Sequence, residues 1–291
     1  MLNHSRSDDP MAEFPVSAVE EQRRRYRRKR TTRSLFISAI STLVIAAIII
    51  VVLASSPGWK TTQETFFNWE YARQAIPAVL SGMWLNIRML LVAATGVAIF
   101  ATLLAATRTL AGPVFFPLRF LAAAYTDIFR GIPFIVVLYL IGFGIPALPT
   151  RRIDVTLLGT VALIITYTSY VSEVLRAGLE SVHPSQRYAA RSLGLTHGQT
   201  MRHIIVPQAV RKVTPALMND FISMQKDVGL ISVLGATDAI RAAQLQQATT
   251  YNFTSYVVAG IFFIILSFPF IRLSDWYTAR LRKREQMGGT V

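Results

Sequence analysis

The sequence predicts an all-α polytopic membrane protein with six transmembrane helices and a short cytoplasmic helical segment between the fourth and the fifth. Of its 291 residues, 52% are hydrophobic and the mean hydropathy is +0.41, which is too apolar for an ordinary soluble domain. Several stretches are nearly charge-free and reach the roughly 20 residues that a helix needs to cross a hydrocarbon core about 30 Å thick. Lysine and arginine are concentrated in alternate segments between these stretches, as expected for a membrane protein.

Six stretches are long enough to span a membrane. The first follows a run of arginines, but its apolar part is too long for a cleaved secretory signal, so we interpret it as a retained anchor. The fifth is the least apolar, because it contains Asp220, Lys226 and Asp227. In chain order the predicted spans are 34–54, 79–107, 131–148, 155–172, 213–234 and 253–271.

The distribution of basic residues predicts that both termini are cytoplasmic. With the N-terminus inside, the inner segments hold 21 lysines and arginines and the outer segments hold 5. The inner segments are 1–33, 106–120, 179–212 and 272–291, and the outer ones are 55–78, 146–154 and 236–252. This bias accounts for the net charge of +14 without a nucleic-acid partner. We expect residues 1–33 to form a disordered basic tail near anionic membrane lipid.

The composition argues against an enzyme. The chain has no cysteine, and its histidines, His4, His183, His197 and His203, show no metal-ligand spacing. No phosphate-binding loop of the GxxxxGK[ST] type is present, so we expect the chain not to hydrolyse ATP itself. We therefore predict no catalytic residue, no metal and no cofactor in this chain.

The polar segment 185–207 predicts two short helices joined by a glycine turn. Gly194 stands where a helix ends in a left-handed residue. Thr196 and Gln199 have the spacing of a capping box that starts a second helix, and Pro207 is expected to end or kink that helix.

The segment permits three interpretations. A DNA-reading helix-turn-helix in a membrane-anchored regulator would need a third helix and its own core, whereas this segment is held at both ends by spans. A solvated loop is the second possibility. A docking element for another protein is the third, because the small residues Ala189, Ala190 and Gly194 permit a close approach and Leu193 and Leu195 would gain a partner.

The segment resembles the coupling motif of the inner-membrane permeases of binding-protein-dependent ATP-binding cassette importers. The family's motif reads Glu-Ala-Ala, three residues, Gly, nine residues, Ile, one residue, Leu-Pro. Tyr188 stands in place of the usual Glu and Val206 in place of the usual Leu. The resemblance implies contact with an ATPase through Tyr188, Ala189, Ala190, Gly194, Ile204 and Pro207.

Three further blocks resemble the polar amino acid branch of this family. They are residues 129–133, 170–184 and 221–235, and the resemblance extends over residues 79–280. It implies a five-helix permease core that contains the coupling segment 185–207, preceded by the first transmembrane helix, 34–54. It also implies a multi-pass protein of the bacterial inner membrane.

The resemblance implies the partners as well. They are ATP-binding cassette ATPase subunits that bind ATP and Mg, a second permease chain in a homo- or heterodimer, an external solute-binding protein and a polar amino acid substrate. The function so implied is that of a permease subunit that couples closure of the ATPases to translocation. A secondary transporter driven by an ion gradient is the alternative, although the sequence shows no convincing internal repeat of the kind common in that class.

Ionisable and polar side chains inside the predicted spans are candidates for a substrate path or gate, because such groups are costly in a membrane and usually face a cavity or each other. Helical periodicity places Tyr170 and Glu173 on one face of the fourth span and several polar residues on a stripe of the fifth. The candidates are Arg130, Tyr170, Glu173, Ser223, Lys226 and Asp227.

A structural explanation stays open for these residues. Glu173 and Arg176 are three residues apart on one helix and can pair with each other. Arg130 lies beside a Gly-x-Pro break, where it can act on substrate or extend its charge to the membrane surface.

Overall fold

The fold is helical throughout the part of the chain that the structure describes. The computed structural model describes residues 18–110, 112–148 and 153–288, and within these ranges the chain forms eleven α-helices and no strand. Four helices are long and apolar enough to cross a membrane, and two bent helix pairs give up to six crossings. The chain divides into two compact units, residues 1–63 and 64–291.

The first unit contains the helix α1, Ala18–Ala54. Its apolar part coincides with the predicted span 34–54, but the helix begins sixteen residues earlier. The prediction of a disordered tail is therefore wrong for residues 18–33, and residues 1–17 lie outside the described residues. Arginine, glutamate and glutamine are good helix formers, and adding residues to an existing helix costs far less than starting one.

The helix α2, Trp59–Phe66, precedes the long helix α3, Trp69–Arg108. Asn68 caps α3, because its Oδ1 accepts hydrogen bonds from the backbone N–H groups of Glu70 at 3.0 Å and Tyr71 at 3.4 Å. At about 1.5 Å per residue, a helix of 40 residues is longer than a bilayer core. The predicted span 79–107 lies inside α3.

The predicted third span, 131–148, is not a continuous helix. Helix α4, Phe116–Gly131, and helix α5, Phe134–Gly142, meet at an angle of 103°. Pro133 lacks a backbone N–H and disfavours a helical Ile132, so the helix breaks where the sequence reads Gly-Ile-Pro. With nine residues, α5 is too short to cross a bilayer alone.

Helix α6, Val155–Glu180, forms the centre of the second unit. It begins at the predicted residue because Asp154 accepts hydrogen bonds from the backbone N–H and the hydroxyl of Thr156, each at 2.7 Å. Gly159 allows close packing, since a Cβ at this position would lie 2.8 Å from Cγ1 of Ile231. The main hydrophobic core joins α3, α5 and α6 to the segment around Ile231.

The polar segment 185–207 begins with α7, Pro184–Ser192. The short helix α8, His197–Thr200, follows and continues through a π-helical turn, Met201–Ile205, into α9, Val206–Asp227.

A 3₁₀ stretch, Val228–Leu234, leads from α9 to α10, Ala239–Thr250, with a bend of 48° between the two sides. The sequence suggested only an outer segment over 236–252, yet α10 is a helix whose alanine face is buried. The polar face of α10 is rich in glutamine, so the mean hydropathy of this segment is low. Small side chains let α10 approach closely the helices against which it packs.

A buried polar cluster fastens α10 to α3. Asn86 donates from Nδ2 to Oδ2 of Asp238 at 3.1 Å and accepts from the N–H of Ala239 at 3.0 Å. Asp238 also caps α10 by accepting from the N–H of Arg241 at 2.8 Å. The final helix α11, Thr254–Gly288, completes the described chain and contains the predicted sixth span from its second residue onward.

Candidate functional site

Polar residues of the fourth and fifth predicted spans meet where α6 packs against α9. Tyr167 of α6 donates a hydrogen bond from its hydroxyl to Oδ2 of Asp227 at 2.8 Å. The ring centroids of Tyr167 and Tyr170 lie 6.0 Å apart, and the Tyr170 hydroxyl reaches the backbone oxygen of Arg130, at the end of α4, over 3.4 Å. Three helices thus contribute to one polar site.

Asp220 adds a second carboxyl group to this polar site. Among the described residues, its buried Oδ2 has no hydrogen-bond partner, although buried polar atoms are normally paired. Arg130 and Tyr167 are close enough to Asp220 to interact with it electrostatically. A half-buried carboxyl group with an unused acceptor is a candidate for binding a donor group of a transported molecule.

Two candidates from the fifth predicted span lie at the edge of the site. Lys226 is exposed on α9 and interacts electrostatically with Asp227. Ser223 is half-buried on the same helix. Sequence analysis did not select Tyr167 or Asp220 as site residues, although the seven-residue spacing of Asp220 and Asp227 places both on one face of a helix.

Glu173 takes part in an ion-pair network at the C-terminal end of α6. Its carboxylate accepts from Arg176 at 2.6 and 3.1 Å and from Nη1 of Arg108, the last residue of α3, at 2.5 Å. Arg176 also pairs with Glu180. This arrangement favours the structural explanation for Glu173, and the partner on α3 could not be found from helical periodicity within α6.

Replacing Glu173 with glutamine is expected to loosen the ends of α3 and α6. A hydrogen bond to a charged group contributes about 1.5–3 kcal/mol, so the unfolding midpoint should fall in a thermal melt of the detergent-solubilised protein. Glu180→Gln is the matched control, because Glu180 is exposed and its ion pair among the described residues is with Arg176 of the same helix. Equal shifts in the two variants would contradict a role for the link between helices.

The turn between α7 and α8 follows the predicted geometry. Gly194 has φ +76°, and the N–H of Leu195 donates to the oxygen of Ala190 at 3.1 Å while the N–H of Gly194 donates to Arg191 at 2.9 Å. These two hydrogen bonds form a Schellman motif, which needs a left-handed residue after the helix. Thr196 and Gln199 form the predicted capping box.

Pro207 does not end the second helix. The π-helical turn before it changes the hydrogen-bond pattern, so that the N–H of Val206 donates to the oxygen of Met201, five residues back. This wider turn makes room for the proline ring, and the helix continues into α9. Ile204 packs against a small apolar cluster formed by Val182, Ile205 and Ala209.

Side-chain exposure divides the residues of the coupling motif. Ala190 is fully buried within the segment, so its small size serves internal packing and it is not available at the surface. Tyr188 and Leu193 are exposed, with Leu193 at 79%, and Ala189 is exposed beside them. An exposed leucine and an exposed tyrosine beside this turn form a surface suited to contact with another protein.

The C-terminal end of α6 is connected firmly to this segment. Lys212 donates from Nζ to the oxygen of Ser181 at 2.8 Å, and His183 accepts from the N–H of Ser185 at 3.2 Å to cap α7. The residues that follow α6 are therefore bonded both to α7 and to α9. Helices α6 and α9 thus contribute both to the polar site and to the surroundings of the segment 185–207.

Comparison with known proteins identifies the family. The family model described as "Binding-protein-dependent transport system inner membrane component" matches residues 109–283. The chain belongs to this family. Its members are permease subunits without an ATPase site of their own, and the family implies ATPase and solute-binding protein partners. The family also implies a multi-pass protein of the inner membrane.

Two relatives from Bacillus subtilis strain 168 are similar over most of their length. The arginine transport system permease protein ArtQ is 32% identical over 192 residues, which cover 66% of this chain and 86% of that protein. The probable glutamine ABC transporter permease protein GlnM is 36% identical over 171 residues, covering 58% and 79%. The alternative of a transporter driven by an ion gradient finds no support.

Solved structures show the same fold. A chain of an amino acid ABC transporter crystallised with histidines superposes with a TM-score of 0.67 at 31% identity, covering 73% of this chain and 98% of that one. A chain of the MetNI methionine ABC transporter superposes with a TM-score of 0.59 at 20% identity, covering 70% and 96%. The second likeness concerns the fold alone.

Proposed function

We propose that this chain is the membrane-spanning subunit of an ATP-driven importer that carries a polar amino acid or a close derivative. The similar proteins include an arginine permease, a glutamine permease and an amino acid transporter. The observation that carries the proposal is the polar site between α6 and α9, in which Asp220 keeps an unpaired acceptor oxygen among the described residues. Of the candidate pathway residues, Glu173 lies in the ion-pair network at the end of α6. The others line or border the polar site, and they are Arg130, Tyr170, Ser223, Lys226 and Asp227.

The chemistry of the site complements an amino acid. An ammonium group supplies three donors, which the carboxyl groups of Asp220 and Asp227 can accept. A carboxylate accepts from a guanidinium, which Arg130 supplies from the end of α4. Tyr167 adds a hydroxyl group at Asp227, and Tyr170 adds one at the backbone oxygen of Arg130.

The assembly proposed contains a second permease chain, identical or related, and two ATPase subunits that bind ATP and Mg on the cytoplasmic side. Six membrane crossings with both termini in the cytoplasm follow from the bias of lysine and arginine. An external solute-binding protein delivers the substrate to the opposite side. This chain itself needs no cofactor.

The segment 185–207 is proposed to carry ATPase closure to the spans. Its exposed residues Tyr188, Ala189 and Leu193 would contact the ATPase, while Ala190, Ile204 and Pro207 maintain its shape. Coupling requires that the loaded binding protein bind one of two permease states more tightly than the other, and the same holds for ATP. A ligand with equal affinity for both states shifts no equilibrium.

Stimulation of ATP hydrolysis tests the substrate class directly. The complete complex, reconstituted with its solute-binding protein, is measured against a panel of amino acids. Stimulation by one polar amino acid or a small group of them is expected. Uptake by this chain alone, driven only by an ion gradient, would contradict the proposal.

Asp220→Asn is expected to weaken substrate recognition inside the membrane. The substitution keeps the shape of the side chain but removes one acceptor for the ammonium group, a loss of about 1.5–3 kcal/mol. The uptake rate at a saturating concentration of loaded binding protein should therefore fall about 10- to 150-fold. Asp275→Asn is the control, because Asp275 is exposed in a loose pair with Arg272 on α11. An unchanged uptake rate in Asp220→Asn would remove Asp220 from the path.

A further inference from the structure

The turn between α10 and α11 contains a tyrosine in an unusual backbone conformation. Tyr251 has φ +55°, and among the described residues the other positive φ angles belong to Gly112, Gly194 and Gly235. A left-handed conformation is uncommon for a residue with a bulky side chain. The Tyr251 side chain is also 82% exposed, so burial does not compensate for this strain.

The backbone around Tyr251 is held from both sides. Its own N–H donates to the oxygen of Gln247 at 2.8 Å. Asn252 donates from Nδ2 to the oxygen of Glu64 at 2.7 Å, and the N–H of Phe253 donates to the oxygen of Thr65 at 2.8 Å. These bonds fix the turn against the last turn of α2.

An aromatic contact stiffens the same turn. The rings of Phe66 and Phe253 are stacked, with centroids 5.4 Å apart. The exposed ring of Tyr251 is therefore attached to an ordered backbone, so little conformational freedom would be lost on binding. Exposed tyrosines are frequent anchors of protein interfaces, and backbone strain concentrates at functional sites.

We propose that Tyr251 is an anchor at which the external solute-binding protein docks on this chain. The inference rests on the proposed function, in which residues 236–252 form an outer segment by the bias of basic residues. The matched family is dependent on a binding protein by its description. Tyr251 is also the left-handed residue that ends α10. Glycine is usual at such a position, so the turn itself does not require the tyrosine ring.

The test measures binding of the purified, substrate-loaded solute-binding protein of the same transporter to the complete reconstituted complex. Tyr251→Gly removes the ring and relieves the strained φ, because glycine accepts a left-handed backbone. The Kd is expected to rise about 30-fold or more, as for an aromatic anchor, while ATP hydrolysis without binding protein is unchanged. Tyr251→Phe keeps the ring and should stay within about threefold of the original Kd.

Trp276→Ala is the matched control, since Trp276 is another exposed aromatic residue but lies on α11 toward its C-terminal part. It is expected to leave the Kd unchanged. An unchanged Kd in Tyr251→Gly would overturn the docking role, and so would poor insertion into lipid with normal affinity, which indicates a headgroup anchor. An original complex that fails to bind the protein at all would contradict the proposed function instead.

Discussion

Replacing Gly82 with valine is expected to separate α10 from α3 and to remove most of the folded protein from the membrane. A Cβ at this position would lie 2.5 Å from the nitrogen of Ala239 and from the oxygen of Asp238. Both are backbone atoms, so no side-chain rotation can relieve the contact. Overpacking of this kind costs about 1–3 kcal/mol, and separating the helices would also break the hydrogen bonds of Asn86.

The loss of those hydrogen bonds adds to the effect. Each buried polar group left without a partner costs about 1–3 kcal/mol, and both Asn86 and Asp238 are buried. The measurement is the unfolding midpoint of the solubilised protein, together with its abundance in the membrane. Gly260→Val is the control, because a Cβ at Gly260 meets no atom within 4 Å; equal losses in both variants would indicate a general intolerance of valine.

Replacing Gly194 with valine is expected to uncouple ATP hydrolysis from transport while leaving the spans folded. The turn after α7 requires φ +76°, which a β-branched residue adopts only at a cost of about 1–2 kcal/mol or more. The helix α7, with its exposed Tyr188 and its exposed C-cap residue Leu193, would then lose its orientation relative to α8. Transport by the reconstituted complex should fall at least tenfold, while membrane abundance stays normal.

Two controls separate geometry from bulk at this turn. Gly194→Asn places a side chain at the same site but tolerates the left-handed conformation, so it should retain most of the transport. Gly198→Val adds the same bulk in α8, where a Cβ also meets no atom within 4 Å and φ is not positive. Normal transport in Gly194→Val would show that the turn has no part in coupling.

Local features of the fold were predictable because their causes lie within a few residues. The turn at Gly194 and the capping box of Thr196 and Gln199 depend on interactions between neighbours in sequence. The start of α6 likewise depends on Asp154 and Thr156. The resemblance to amino acid permeases, which the family match confirms, also rests on short blocks of sequence.

The sequence is less informative where a segment's surroundings decide its structure. The alanine face of α10 becomes a buried surface only because α3 offers Gly82 and Asn86 opposite it. Ala190 was expected to permit the close approach of another protein; its side chain is buried, and its backbone oxygen accepts from the N–H of Leu195. The 103° bend between α4 and α5 follows from a local break, yet its size depends on packing.

The sequence by itself determined that this is a helical membrane permease and where most of its spans lie. Hydropathy, charge bias and short motifs carry that information locally. Only the tertiary structure decided which polar groups meet. Tyr167 and Asp227 are 60 residues apart, Arg108 and Glu173 are 65, and Asn86 and Asp238 are 152. Helical periodicity assigns a residue to a face of its own helix, but helix packing selects the partner that this face meets.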